Sequence, residues 1–480
     1  MKFDVHRLAE PLLEFGSGTD SRVKEGLTAG GPYSLQLGPR HPAQIRLGFV
    51  GPGEDISAVK QFLSRMSRFI PSLGDQEIQR PSFPGFSSTY QSELQFDPSW
   101  NHLIRDADLS ASLAEPAQVA FTKALQLWSH GLEELSQRDP PPDVILCAVP
   151  KEVIDHCGTV NFGERDEKRW ATPTLFDDPA TIEATTGPTG LLDRDLRRAL
   201  KAAAIRVSTP IQIVTPSLYG ARSDRYDDPA SRAWNLSVAL FYKAGGAPWR
   251  LADPEVDTLY IGISFHHRWH VEGHSMYAGL AQAFYPGSEG FALRGGEAQK
   301  DPDDPRLRLD RSEMTRLVER VLDHYTMRTS RDPRRVVIHK TTEFDAEEIA
   351  GARDALDNVP ETDFVALRSS SFRLLRQGDY PPRRGTFAEL GDRAFLLTTG
   401  YQDSRGTYKG SHIPVPLDLV TDARRNQAAA DVMALTKLNW NSAADHTQFP
   451  VTLQFAQKVG TIMAEVPDEQ EPQTRFSYYI

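Results

Sequence analysis

The strongest constraint on the fold is a continuous apolar run, VILCAV, at Val144–Val149. It follows a breaker, DPPPD, and it lies between two segments with helical spacing of apolar residues, Pro116–Gln137 and Leu192–Ala204. An unbroken apolar run of this length is typical of a central strand in a parallel sheet. Further strands are predicted at Gln44–Val50 and Ile211–Val214, so the first half of the chain is predicted to be Rossmann-like α/β.

The second half begins with another buried-type strand, TLYIGIS, at Thr258–Ser264. Most of its strands precede its last helices, which are predicted at Asp422–Thr436 and Val451–Ala464. Strands followed by helices over this length fit an RNase H-like domain. The other predicted strands are Glu289–Leu293, Val336–His339, Phe364–Leu367, Arg373–Leu375, Arg393–Thr399 and His412–Leu417.

Composition excludes several classes of protein. The 480 residues contain no apolar run long enough to span a membrane, and the first residues show no secretory signal. The two cysteines, Cys147 and Cys157, cannot form a disulfide framework and fit buried positions in a cytoplasmic protein. A net charge of −11 argues against a protein that coats nucleic acid, but it leaves room for a local basic channel.

Three segments of the chain resemble one family. Leu435–Gly460 reads LTKLNWNSAADHTQFPVTLQFAQKVG, Lys409–Leu419 reads KGSHIPVPLDL, and Asn235–Trp249 reads NLSVALFYKAGGAPW. In this order they resemble the MID–PIWI region of Argonautes. Because the chain has no room for the N and PAZ domains of long Argonautes, it most resembles the short prokaryotic class.

The resemblance implies three parts. Residues 1–140 would be the N-terminal part of the MID lobe, residues 141–250 the MID core that binds the guide 5′ end, and residues 251–480 an RNase H-like PIWI domain. The expected fold is therefore α/β, with a Rossmann-like MID domain followed by PIWI.

The resemblance also implies a pocket for the guide 5′ phosphate. Arg197 and Lys201 match a pair four residues apart on one helix, although the family has His or Tyr at the first position. Gln212 matches the polar residue beside the first nucleotide, and Lys243 matches the second phosphate-binding lysine. A Mg²⁺ ion is expected between guide phosphates and the carboxylate of Ile480.

Each of these residues also has an ordinary structural interpretation. Arg197 and Lys201 would form a solvated helix face. Lys243, before a pair of glycines, would complement a helix dipole. Gln212 would be a buried amide with satisfied hydrogen bonds.

The slicing centre of the family lacks its carboxylates in this sequence. Slicing Argonautes hold two metal ions with acidic residues and often a histidine. The matching positions are Ser264, Thr341 and Gln457, and none of them is acidic. The remaining glutamate cannot be assigned, although Glu289 and Glu297 lie nearby in sequence. The PIWI domain is therefore expected to be inactive.

Four histidines, His266, His267, His270 and His274, raise the alternative of a zinc site. No cysteine and no regular acidic partner accompanies them, so polar residues near a channel are the simpler interpretation. Expected channel residues are Arg383, Arg384, Lys409 and Lys437. The segment PLLEF at Pro11–Phe15 is interpreted as a partner-docking surface or, with slightly more support, as an ordinary packed strand.

The resemblance implies a guided recognition subunit that carries RNA, pairs with single-stranded DNA and activates a separate effector in prokaryotic immunity. The effector would contain an APAZ region and form a heterodimer with this chain; a sirtuin-like, NAD-depleting effector is favoured over a TIR or nuclease effector. The alternatives are an RNase H-like nuclease with a non-standard metal site and a Rossmann-like scaffold protein.

Overall fold

The computed structural model describes residues 3–73, 80–161, 193–219, 228–255, 257–268, 276–285, 290–301, 304–377, 381–400, 414–466, 473 and 475–480. The chain divides into two compact units. Unit 1 contains Met1–His41, Trp234–Thr461 and Glu471–Ile480, and unit 2 contains Pro42–Ala233 and Ile462–Gln470. Residues 3–41 therefore lie in unit 1, whereas the rest of the predicted segment 1–140 lies in unit 2.

The described strands are, in chain order, β1 (Phe3–Arg7), β2 (Leu13–Glu14), β3 (Thr19–Asp20), β4 (Gln44–Gly51), β5 (Glu93–Gln95), β6 (Asn101–Leu103), β7 (Val144–Ala148), β8 (Thr159–Asn161), β9 (Asp193–Asp195), β10 (Ile211–Val214), β11 (Arg250–Leu251), β12 (Thr258–Arg268), β13 (Met276–Phe284), β14 (Phe291–Asp301), β15 (Asp304–Arg308), β16 (Arg335–Lys340), β17 (Glu361–Ser369), β18 (Thr386–Leu390), β19 (Arg393–Leu396) and β20 (Leu417–Thr421).

The described α-helices are Val23–Gly30, Gly53–Met66, Phe86–Tyr90, Asp106–Leu113, Ala117–Ser136, Lys151–Cys157, Leu196–Val207, Pro216–Tyr219, Pro229–Lys243, Arg311–Thr329, Ala346–Ala355, Arg425–Leu435 and Val451–Met463. Short 3₁₀ helices cover Tyr33–Arg40, Pro98–Trp100 and Phe476–Tyr478. Within the described residues, no helix combines the length and the apolar character needed to cross a bilayer.

Unit 2 is built on a parallel sheet with the order β10-β7-β4-β5, and β6 also pairs with β4. All five residues of β7 are buried, as expected for its continuous apolar run. Helices Ala117–Ser136 and Leu196–Val207 pack on the sheet through Trp128, Leu200 and other core side chains. The Rossmann-like prediction for this half is confirmed. Cys147 and Cys157 are both buried in this core, and neither is in a disulfide.

Unit 1 contains a ten-stranded sheet with the order β1-β18-β19-β20-β17-β16-β12-β13-β14-β15. Strands β12, β13 and β14 form an antiparallel meander, and β16 and β17 follow β12 in parallel. One antiparallel meander continued by two parallel strands is the arrangement of an RNase H-like domain, so the prediction for the second half is also confirmed.

Residues 3–41 form part of unit 1. Strand β1 pairs with β18, and β2 pairs with both β3 and β11. Leu13 and Phe15 are fully buried, although Leu12 is half exposed. The segment Pro11–Phe15 thus packs within its own unit, in agreement with the simpler of its two interpretations.

Some local predictions differ from the structure. Helix Gly53–Met66 begins with Pro52 in the N-cap position and with Glu54 and Asp55 in its first turn. Negative charge in a first turn suits the helix dipole, so Asp55 has a stabilising position without being the cap. Arg373–Leu375 does not form a strand.

Candidate nucleic-acid interface

Strand β16 ends beside β12, which itself continues to Arg268, and this brings Thr341 next to Ser264. Their parallel register pairs Gly262 with His339 and Ile263 with Lys340, so Ser264 and Thr341 are the next opposing positions. Because side chains alternate along a strand, both point to the same face as Gly262 and His339. The sequence-predicted pair is therefore adjacent at the position where β16 ends.

The N-terminal turn of helix Val451–Met463 covers this face. The Thr452 hydroxyl lies 2.8 Å from Nδ1 of His339. A Cβ atom at Gly262 would lie 2.4 Å from the carbonyl oxygen of Thr452, so only glycine permits this close approach. Gln457, the third predicted position, is half-buried on the same helix.

Several polar atoms at the strand ends have no hydrogen-bond partner among the residues that the structure describes. They are Oγ of Ser264, Nε2 of His339 and Oγ1 of Thr342, and all three are buried. Burial lowers the pKa of His339 to about 3, so its imidazole is neutral. Buried polar atoms usually find a partner, so these atoms mark a position where a ligand or water can bind.

The opposite face of the same strands carries a buried ion pair. Lys340 Nζ lies 2.5 and 2.6 Å from the two carboxylate oxygens of Glu348, and both side chains are almost completely buried. Glu348 also accepts a hydrogen bond from the backbone of Asp345 and belongs to the capping box of helix Ala346–Ala355. This ammonium is therefore held away from Ser264 and Thr341.

The predicted phosphate-binding pair lies on helix Leu196–Val207 of unit 2. Asp195 caps this helix by accepting a hydrogen bond from the backbone of Arg198, and its apolar face packs against helix Ala117–Ser136. Arg197 is exposed and Lys201 is half-buried, one helical turn apart. Gln212 is half-buried on β10, and its amide donates to the carbonyl of Ile213 at 3.1 Å.

Lys243 and Ile480 belong to unit 1. Lys243 is nearly buried at the end of helix Pro229–Lys243. Gly245 and Gly246 then close the helix by donating to the carbonyls of Tyr242 and Phe241, which is a Schellman C-cap. The Ile480 side chain is buried, next to the 3₁₀ helix Phe476–Tyr478.

Two of the predicted channel cations are buried inside unit 1. Arg384 is completely buried and donates to Glu10, to the carbonyls of Thr398 and Met433, and to Thr436. Lys437 is almost completely buried, and its Nζ lies 2.7 Å from the same Glu10 carboxylate. Burial lowers the pKa of both cations. Because their donors are used within the unit, the structure argues against placing either residue in a channel.

The structure describes only some of the remaining predicted positions. Arg383 is half-buried, and Glu297 is exposed on β14, opposite Ala278. Lys409, Glu289, His270 and His274 lie outside the described residues, and His266 and His267 are described only as backbone of β12. No group of three metal-ligating side chains occurs in the part of the chain that the structure describes.

Sequence reasoning missed His339, Thr452 and Glu348, which shape the strand ends. Strict alternation along VVIHK would have placed His339 on the same face as Thr341. Nothing local in the sequence connects either residue to Thr452, more than a hundred residues later.

Comparison with solved structures identifies the fold. Clostridium butyricum Argonaute, bound to a guide DNA and a 19-mer target DNA, aligns over 100% of this chain with a TM-score of 0.64 and 13% identity. This fold is the Argonaute MID–PIWI fold. Drosophila Piwi aligns over 99% of the chain with a TM-score of 0.57 and 14% identity. Aa-Ago with externally bound siRNA aligns over 99% with a TM-score of 0.58 and 11% identity.

The chain spans 55–56% of the length of these three Argonaute structures. No protein-family model matches the sequence. No curated protein matches it either. With identities below 15%, the comparisons establish the Argonaute-like fold, and the roles of individual residues have to be argued from the chain itself.

Proposed function

We propose that this chain is a guide-directed nucleic-acid recognition subunit that does not cleave its target. The observation that carries the proposal is the adjacency of Ser264, on β12, and Thr341, just after β16, in a sheet of Argonaute-like fold. Two neutral hydroxyls at this position cannot neutralise a pair of divalent cations, which two-metal hydrolysis requires. What such a fold retains is the ability to hold a guide and to present it for pairing.

Guide binding is proposed to begin at the 5′ phosphate. Arg197 and Lys201 present two cationic donors on one helix face of unit 2, and a guanidinium with an ammonium suits a phosphate. The same role is proposed for Gln212 and for Lys243 on the family resemblance. A Mg²⁺ ion would be coordinated by guide phosphate oxygens and by the carboxylate of Ile480. All of these ligands are oxygen atoms, which Mg²⁺ prefers.

The wider biological role rests on the resemblance to short prokaryotic Argonautes. We propose an RNA guide, a single-stranded DNA target and a cytoplasmic heterodimer with an APAZ-containing effector. Target pairing would activate that effector, for which a sirtuin-like NAD-depleting enzyme is favoured. Sequence specificity would come from base pairing, while the protein contacts the nucleic-acid backbone and recognises the shape of the duplex.

The first experiment measures guide affinity. The chain, purified with the protein encoded beside it, binds a short RNA with either a 5′ phosphate or a 5′ hydroxyl. We expect tighter binding of the phosphorylated RNA, and a loss of about tenfold or more in the Arg197→Ala/Lys201→Ala variant, because charge-assisted hydrogen bonds to phosphate are removed.

Arg206→Ala is the matched control, because Arg206 is exposed on the same helix but points to the opposite face from Arg197. Equal affinity for both RNA ends, or equal effects of the two variants, would refute the pocket. Metal-dependent cleavage of a paired target by the wild-type chain would replace the recognition proposal with the alternative of an RNase H-like nuclease.

A further inference from the structure

Unit 2 contains a cavity of about 570 Å³ that none of the proposed guide contacts lines. Its walls come from strand β6, helix Asp106–Leu113 and helix Ala117–Ser136, all in the same unit. A volume of this size falls within the range of roughly 300–1,000 Å³ that small-molecule sites occupy. The cavity can therefore hold a ligand the size of a nucleotide.

The walls are rich in nitrogen donors. Lys123, Gln126 and His130 follow one another along one face of helix Ala117–Ser136, and His102 on β6 and Arg105 just before helix Asp106–Leu113 also line the cavity. Asp108 is the one carboxylate among the lining residues, and its oxygen lies 2.7 Å from Nε of Arg105. The lining thus has more hydrogen-bond donors than carboxylate acceptors. This contrasts with the whole chain, whose net charge is −11.

Apolar side chains form the rest of the surface. Ile104 is buried, Leu127 is half-buried, and Leu103 is 60% exposed although it is a large hydrophobic residue. A donor-rich wall beside apolar side chains suits a ligand with a flat apolar part and a negatively charged part.

The two histidines are held in a defined arrangement. Nδ1 of His102 lies 2.8 Å from a carboxylate oxygen of Glu134, and since a carboxylate accepts, this nitrogen donates and Nε2 is left to face other partners. The two imidazole rings stand edge to face, with centroids 5.4 Å apart. A Cβ atom at Gly131 would lie 2.7 Å from Cδ2 of His102, so a glycine in the helix makes room for this ring.

We propose that this cavity binds a nucleoside phosphate, with the phosphate on Arg105 and Lys123 and the base against the histidine rings and Leu127. Arg105 and Lys123 are 80% and 42% exposed, and their partners Asp108 and Glu115 are also partly exposed, so both can turn toward a phosphate at small cost. The same chemistry is offered by a free nucleotide and by the end of a nucleic-acid strand.

The test measures binding of AMP, ATP, inorganic phosphate, adenosine and a 5′-hydroxyl oligonucleotide to the full chain by calorimetry. The variants are Arg105→Gln/Lys123→Gln, which removes the phosphate donors, and Lys151→Gln as the control, because Lys151 is an exposed cation of unit 2 outside the cavity. We expect nucleotide affinity to fall at least about tenfold in the double variant and to stay unchanged in the control.

Each other outcome has a definite meaning. Binding of inorganic phosphate or adenosine as tight as that of AMP would overturn the nucleotide assignment, as would nucleotide binding that the double variant retains or no nucleotide binding at all. Oligonucleotide binding that is tighter than AMP binding and that the double variant loses identifies a nucleic-acid strand as the source of the ligand. Guide affinity, measured in parallel, separates this proposal from the guide pocket, because the double variant should bind a 5′-phosphorylated RNA as the wild type does.

Discussion

Replacing Glu10 by alanine should strongly destabilise unit 1. The Glu10 carboxylate accepts from Nε of Arg384 at 3.0 and 3.1 Å and from Nζ of Lys437 at 2.7 Å. Both cations are completely or almost completely buried, whereas Glu10 itself is 15% exposed. Removing the carboxylate therefore leaves two buried cations without the group that both of them contact.

The expected loss in the free energy of unfolding is about 3–5 kcal/mol, the range for breaking a buried ion pair by removing one partner. Glu10→Gln should lose less, because the amide oxygen still accepts a hydrogen bond. Glu14→Ala is the matched control on the same segment. Its partner Arg250 is 39% exposed, and an ion pair of this kind contributes up to about 1 kcal/mol.

Urea denaturation gives the free energies of unfolding. Hydrogen exchange of the peptides that contain β1 and β2 then shows whether the loss lies in unit 1, because a chain of two units need not unfold in one step. If Glu10→Ala destabilises the protein no more than Glu14→Ala does, the argument from buried charge is wrong.

Three further predictions concern the sheet of unit 1. Gly262→Ala should cost about 1–3 kcal/mol of stability, measured by urea denaturation, because its Cβ would lie 2.4 Å from the carbonyl oxygen of Thr452; an unchanged midpoint would contradict this packing. Burial raises the pKa of Asp431 to about 6, so between pH 4 and 6 the folded protein binds a proton that the unfolded chain has released. The free energy of unfolding should therefore fall as pH rises from about 4 to 6, and Asp431→Asn should flatten that slope. Ser264→Asp/Thr341→Asp places two carboxylates on strands about 4.8 Å apart, so their repulsion should lower the melting temperature in the absence of metal. Mn²⁺ should restore the melting temperature of this variant and leave that of the wild type unchanged.

The main elements of both units could be predicted because their signals are local. Strand β10 has the predicted bounds, β7 differs from its prediction by one residue, and helix Val451–Met463 ends one residue earlier than predicted. The apolar spacing within each element and the Gly or Pro residues that end it lie within a few residues of one another. Together they predict each of these elements without information from the rest of the chain.

Sequence could also predict that Ser264 and Thr341 meet, once both were placed at the ends of strands. The burial of Arg384 and Lys437 could not be predicted in this way. An Arg-Arg-Gly turn looks like a solvent-facing basic loop, and only the contact with Glu10, some 370 residues earlier in the chain, explains why one of these arginines is buried. Pairings over such separations leave no periodic signal in a single sequence.

The early residues of the chain complete a unit whose other strands are made much later. β1 pairs with β18, and the backbone of Val23 donates to Asp445 at 2.8 Å, so these partners are separated by nearly the whole of unit 2 and by most of unit 1. During synthesis, unit 2 has its parallel sheet complete by β10, while β1 still lacks its partner β18. Closing unit 1 therefore requires strands that are synthesised more than 370 residues after β1, and loop-closure entropy disfavours such distant pairings. Strand β1 is thus exposed to misassembly until β18 has been made.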